Sequence, residues 1–409
     1  MFRGRNMLSG RSSGGAFGLV PIKVKWLVLL MSFSSLATGY YWVATSAYLP
    51  EIGVPGGSVG LLLSVNGIVF ILAAVPLGML ADRVGRKRIL ILGTLGMPPA
   101  LLIYALTSDL PFLVLASVIA GAAEGAFLTT WNALIADMAS GEGRKEAFTM
   151  SFIVMAVTSG AGFALPYAFP TIASLGGLTT NQVHEVFFVI LALVSLITPA
   201  SLARLLRDHS EIVGEGLSLK KGRNLRPMLK FSALNSLIGL GAGFIIPLIP
   251  LWLLNRFGIA DTYSGPLLAL ASLTMGFASI ASTRLARRFG TVRAIVLCQG
   301  SSTVFMLALA FAPDPVTAGG LYVVRTMLMN MSSPLSDAFL MGIITKEERG
   351  LASAINSIVW RLPHSVTTVI GGVLLGMGLY SEPFYLAALF YVASVGLFYA
   401  LFRNVEPSE

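Results

Sequence analysis

Apolar runs of about 20 residues or more recur along the chain, separated by short polar breaks. A run of that length, wound as an α-helix, spans the roughly 30 Å hydrocarbon core of a bilayer. The pattern predicts six membrane helices near 24–49, 57–80, 89–107, 112–139, 147–172 and 185–207. It predicts six more near 227–255, 263–286, 294–312, 315–343, 350–379 and 384–402. The expected architecture is an all-α membrane protein, with twelve transmembrane helices in two bundles over 24–207 and 227–403. Residues 208–226 read as a polar linker between the bundles, 404–409 as a short tail, and 1–23 as a basic tail rich in Gly and Ser. That tail lacks the apolar core and small-residue cleavage site of a secretory signal, so no processing is expected.

Composition agrees with this reading. Only 11% of the residues are charged and 55% are hydrophobic, whereas a soluble domain carries about 25% charge to cover its surface. The single cysteine, Cys298, lies inside an apolar run, which excludes an intrachain disulfide and a cysteine-based metal site. Lys and Arg gather in the first residues and in the breaks after predicted helices 2, 4, 6, 8 and 10. The opposite breaks carry Glu51, Asp109, Asp261 and Asp314, with Arg256 the main cation. By the positive-inside rule both termini are expected to be cytoplasmic. The net charge of +9 is then explained by orientation and attraction to anionic lipid. No stretch interleaves clustered basic residues with aromatics, so no nucleic acid partner is expected.

Ionisable groups inside the helices carry most of the functional signal, because a charge at membrane depth is costly. Glu124 falls near the centre of helix 4, Arg325 near that of helix 10, and Arg361 and His364 near that of helix 11. Asp137 and Asp337 lie toward the ends of helices 4 and 10 that bear the basic breaks. At about 100° per residue, Glu124 shares a face with Ser117, Gly121, Leu128 and Trp131. Helix 1 carries Ser34, Thr38, Tyr41 and Thr45, and helix 11 carries Ser357, Arg361, Ser365 and Thr368. Helix 10 has two polar stripes: Arg325, Ser332 and Ser336 on one, Thr326, Asn330, Ser333 and Asp337 on the other. Spacing does not say which stripe meets a cavity. Glu124 reads either as a proton carrier, since a buried carboxyl resists ionisation, or as a permanent ion-pair partner of Arg325 or Arg361. The two guanidiniums present planar forks suited to an anion, or else pair with Glu124 and Asp337. His184, His209 and His364 form no metal or catalytic pattern, so no enzyme, metal or cofactor is expected.

The break Gly78-Met79-Leu80-Ala81-Asp82-Arg83-Val84-Gly85-Arg86-Lys87-Arg88 resembles the loop between helices 2 and 3 of the major facilitator superfamily of secondary transporters. Part of it recurs 205 residues on: Leu80, Ala81, Arg83, Gly85 and Arg88 match Leu285, Ala286, Arg288, Gly290 and Arg293. Such a repeat is what two pseudo-symmetric six-helix halves would leave in a sequence. The resemblance implies alternating access, with helices 1, 4, 7 and 10 lining the path. It implies a conformational latch of Gly78, Asp82, Arg83, Gly85, Arg86 and Asp137, in which Asp82 meets the start of helix 11 and Arg86 reaches Asp137. The glycines would then allow close backbone approach. The second copy departs from the pattern, with Arg287 in place of Asp82 and Thr283 in place of Gly78. Ser117 stands where many proton-driven exporters have an Arg, and the helix 5 signature of drug–proton antiporters is absent.

The expectation is therefore a monomeric transporter of a small, anionic organic solute, coupled to protons at Glu124. Arg361, Arg325, His364, Tyr41, Trp131, Asn330 and Trp360 would contact the substrate. An exporter of amphipathic compounds is the alternative, with Tyr40, Tyr41, Trp131 and Trp360 outweighing the arginines. A non-transporting receptor on the same fold is the third.

Overall fold

The computed structural model describes residues 17–208, 226–344 and 349–405. Most of the N-terminal tail, nearly all of the linker and the last residues of the C-terminal tail lie outside the described residues. Twelve long helical segments are present among the described residues: α1 Ile22–Glu51, α2 Gly56–Val84, α3 Arg86–Leu106, α4 Leu110–Met138, α5 Gly141–Gly176 and α6 Thr180–Leu205. The second half comprises α7 Arg226–Phe257, α8 Asp261–Phe289, α9 Thr291–Ala310, α10 Pro315–Gly342, α11 Arg349–Gly376 and α12 Glu382–Phe402. Ten of these are long and apolar enough to cross a membrane by length and composition. The apolar pattern placed their centres, and the ends differ where polar turns extend a helix past the apolar run. α5 begins at Gly141 rather than near 147, adding a turn with Glu142, Arg144 and Lys145; hydropathy does not see such a turn.

The 205-residue offset is structural as well as sequential. α2 and α8 have the same length and bounds shifted by that offset, and each ends at a glycine of positive φ: Gly85 at 101° and Gly290 at 80°. A side chain at either position would be strained, which explains why Gly recurs there. Helix starts are fixed by local chemistry. Asp314 caps α10 by accepting from the Val316 and Thr317 amides and the Thr317 hydroxyl. Those bonds, the Thr317 hydroxyl first, hold its carboxyl below the usual range. Thr179 and Gln182 close a reciprocal capping box at α6. The same pairs of helices pack in both halves: α1 on α5 as α7 on α11, and α2 on α4 as α8 on α10.

The halves meet along α2–α11 and α5–α8. One apolar cluster crosses between them near the breaks with few basic residues, joining Val59 and Leu63 to Leu251, Trp252 and Leu375. Toward the basic loops the clusters stay within single halves, one built on Leu27, Trp131 and Leu134, the other on Phe231, Phe339 and Phe402. The structure is thus closed at the face away from the basic loops. At the seam a Cβ on Gly60 would come within 2.6 Å of the Thr368 carbonyl oxygen and 3.2 Å of Gly372 Cα. Ser64 Oγ donates to the Ser365 carbonyl beside it.

Gly60→Leu is expected to force α2 from α11 without unfolding either bundle, because the obstruction is backbone that has little room to yield. With cysteines at 57 and 373, where a Cβ on Gly57 would lie 3.2 Å from Val373 Cγ2, disulfide yield should fall about fivefold or more at unchanged helix content. An undiminished yield would show that the seam does not depend on this close approach.

Candidate functional site

Glu124 of α4 and Arg361 of α11 meet across the two halves. Arg361 Nη2 donates to Glu124 Oε1 at 2.5 Å, and the side chains keep 28% and 25% of their exposure. The guanidinium also lies over the Phe70 ring of α2, 3.6 Å from its centroid. The Arg361 stripe therefore faces the other bundle, with Ser365 against α2. Because each charge is matched by the other, the pair is tolerable at membrane depth.

Glu124 also belongs to the wall of a cavity of about 240 Å³ with Ser34, Thr38, Tyr41, Asn66 and Met155. It adjoins a wider one of about 600 Å³ bounded by Trp131, Asn132, Ser151, Phe152 and Ser272. Ser35, Phe127, Leu128 and Met155 are common to both. Nearly all of these residues come from the first half. Rings are held in place from behind: Trp131 Nε1 donates to Ser151 Oγ at 2.9 Å, and Tyr41 packs on Tyr104 at 5.2 Å between centroids. Two buried atoms of the smaller cavity's lining residues, Ser34 Oγ and Asn66 Oδ1, have no hydrogen-bond partner. A space of this combined size, mostly apolar with a few convergent polar groups, is of the kind that takes a small organic molecule.

The other expected contacts are distributed differently. Arg325 is 4% exposed and turns into its own bundle, where Nη2 donates to the Tyr391 hydroxyl of α12 at 2.7 Å. Its guanidinium lies 5.6 Å from that ring, and its backbone carbonyl accepts from Ser302 of α9. Arg325 is thus corrected from substrate contact to bundle packing, since its stripe of α10 faces α9 and α12. The second stripe, with half-buried Asn330 and exposed Ser333 and Asp337, is the more open one. His364 stacks on Trp360 at 4.9 Å, both half-buried on α11. With Arg361 engaged by Glu124 and Arg325 by Tyr391, the reason for expecting a guanidinium left over for an anionic solute is gone.

At the basic-loop face, Arg86 Nη1 donates to Asp137 Oδ2 at 2.6 Å, and Nη2 lies 3.5 Å from Asp82 Oδ1. All three groups belong to the first half, and Arg83 is exposed. The side chains at the start of α11, where Asp82 was expected to reach, lie outside the described residues. Gly78 does not mark a close approach: a Cβ there would meet Thr129 at an ordinary 3.6 Å. Gly85 is needed for its positive φ instead. Sequence reasoning missed two features. Asn66 is a lone amide in an otherwise apolar helix, a signal that was available. A buried contact between His184 and Asp261 joins α6 to α8, and no spacing rule links two such distant positions.

This fold, two repeated bundles with a cavity walled mainly by the first, is that of a secondary transporter. The chain belongs to the Major Facilitator Superfamily, which it matches over residues 27–235 and again over 231–409. It is a multi-pass membrane transporter and not an enzyme. It is 23% identical over 376 residues to the multidrug resistance protein MdtG of Klebsiella pneumoniae strain 342, covering 88% of this chain and 87% of that relative. It is 25% identical over 345 residues to the inner membrane transport protein YajR of Escherichia coli K12, covering 80% and 71%. In fold it is similar to a bacterial homolog of the human lysosomal transporter Spinster, inward-facing and unoccupied, with a TM-score of 0.71 at 16% identity over 93% of this chain and 97% of that one. A variant of the nucleoside transporter NupG gives the same TM-score at 14% identity, over 93% and 100%.

If the Glu124–Arg361 contact holds the halves together, Glu124→Gln and Arg361→Gln should each lower thermal stability. The double variant should lose less than the sum, with a coupling of about 1 kcal/mol, small because both groups are partly solvated. Strict additivity would mean that the contact carries no energy.

Proposed function

We propose that this transporter exports amphipathic, largely apolar organic compounds in exchange for protons, with Glu124 as the central proton site. The observation that carries the reading is the cavity: its wall is aromatic and methionine-rich, its polar atoms are few, and its one carboxylate is already neutralised by Arg361. The likeness to a multidrug resistance protein over most of both chains supports the same direction. Compounds enter from the basic-loop face, which we assign to the cytoplasm together with both termini, and the protein acts as a monomer.

Coupling follows from the chemistry of the pair. A proton on Glu124 removes the anion that Arg361 binds and loosens the bundles from each other at mid-membrane. Losing such a partly solvated contact is worth about 1 kcal/mol, enough to change the ratio of two conformers by roughly fivefold. Ser34 Oγ and Asn66 Oδ1 supply hydrogen bonds to the few polar atoms of the cargo, and Tyr41 and Trp131 supply flat apolar surface. Asp82, Arg86 and Asp137 act as the latch of the basic-loop face when it closes, with Arg83 contributing charge and Gly78 and Gly85 shaping the turn.

Two experiments test this. In proteoliposomes screened with amphipathic fluorescent dyes, an imposed pH gradient should drive dye accumulation by the wild type and not by Glu124→Gln. That variant should keep dye exchange, since Gln mimics the protonated acid. Driven accumulation at the wild-type level in Glu124→Gln, or a cargo range confined to anions, would end the reading. For the latch, Asp82→Asn should reduce dye flux about tenfold or more while the protein still reaches the membrane; this takes about 1.4 kcal/mol, within reach of a charge-assisted contact. Unchanged flux would remove Asp82 from the latch.

A further inference from the structure

The face that is closed holds a titratable cluster that the central pair does not use. His184 of α6 and Asp261, the first residue of α8, are both 0% exposed and come from opposite halves, with His184 Nε2 3.1 Å from Asp261 Oδ2. The contact is close enough for an ion pair but is not aligned as a hydrogen bond, and neither Asp261 oxygen has any other partner. Glu51 of α1 stands beside them, its Oε1 accepting from the Asp261 amide at 2.5 Å. On its other side, His184 Nδ1 lies 2.8 Å from the Tyr40 hydroxyl, which is also 3.5 Å from the His184 carbonyl. Tyr48 stacks on the imidazole at 3.9 Å, and Phe169 of α5 meets its edge at 4.6 Å.

We propose that His184, Asp261 and Glu51 form a second proton-binding site, which locks the two halves together at the face opposite the basic loops while it is occupied. A fully buried carboxylate with no hydrogen bond is among the costliest groups a protein can hold, and a cation in contact is what offsets it. Among the described residues, the cation that can reach it is the imidazolium of His184. Arg256 of α7 is turned to the Ala310 and Ala312 carbonyls. The remaining ionisable groups that face the cluster are acidic or phenolic: Glu51, Tyr40 and Tyr48 from α1, and Glu185 from α6, whose charge acts on Tyr48. Of these, the carboxylates when ionised favour the charged imidazole, and the Tyr40 hydroxyl can serve either form.

On its Nδ1 side the imidazole can take up and release a proton with a partner for either form. With imidazole neutral, the Tyr40 hydroxyl donates to Nδ1; with imidazolium, that hydroxyl turns to the His184 carbonyl and accepts from Nδ1–H. Separation of the halves removes Asp261 from His184 and lets water reach both, so the open conformer holds the proton less tightly. The sign follows: the closed conformer binds one proton more than the open one, so acid favours closure and rising pH favours opening. At its steepest the closed-to-open ratio changes about tenfold per pH unit for one linked proton.

The site is tested without any cargo, so its outcome is separable from that of the export reading. Spin labels on cysteines at Ser108 and Phe311, in loops of opposite halves at this face, would report the opening by pulsed electron-electron resonance in the full chain with Cys298→Ala. Between about pH 5.5 and about pH 8.5, the range in which a histidine titrates, the short-distance population should give way to a longer one as pH rises. His184→Gln and Asp261→Asn should each abolish that response. The Asp261→Asn variant preserves shape and guards against a His184 variant that misfolds. A wild type that does not respond, or closes as pH rises, overturns the site, as does a response that survives in Asp261→Asn.

Discussion

A charge inside a bilayer has to be answered within the protein, and in this chain the answers decide how the two bundles hold together. Three deep or buried basic groups are in question, one partnered by a phenol inside its own bundle and two by carboxylates of the other half. Arg325 finds Tyr391 inside its own bundle, so its solvation does not change when the bundles move. Arg361 finds Glu124, and Asp261 finds His184, each across the gap between halves. Contacts across the gap are the ones that a relative motion of the halves would break, which is why the proposed proton sites fall there and not at Arg325.

The repeat gives the two halves the same skeleton, but the side chains divide the work unequally. The cavity wall is almost wholly from the first half, with α1 and α4 supplying most of it. The second half contributes the guanidinium that closes over this wall from α11. Gly85 and Gly290 keep the same backbone turn in both copies, while the acidic cluster around Arg86 exists only in the first, since Arg287 replaces Asp82 in the second copy. The two halves thus share a skeleton and carry unlike charges on it.

Much of the fold was legible because hydropathy and the 205-residue offset are properties of contiguous sequence. Twelve helices could be placed from apolar runs alone, and the polar first turn of α5 escaped only because it lies beyond the apolar stretch. Charges at mid-depth pointed to α4, α10 and α11, since depth can be read from position in a run. Direction could not be read in the same way. Arg325 and Arg361 sit at similar depths, yet one faces α12 and the other α4, a difference set by how each helix is rotated in its bundle. The His184–Asp261 contact was invisible for a related reason: both residues looked like ordinary polar positions near helix starts, and only the docking of α6 beside α8 joins them.

The central claim is that Glu124 alternates between a carboxylate paired with Arg361 and a protonated acid released from it. Infrared difference spectroscopy reads this directly, because a protonated carboxyl has a carbonyl stretch that a carboxylate lacks. Wild-type protein in lipid, stepped from alkaline to acidic pH, should gain a carboxyl band that is missing from the Glu124→Gln spectrum, and that band should shift when Arg361 is replaced by Gln. A carboxyl spectrum left unchanged by Glu124→Gln would contradict the account.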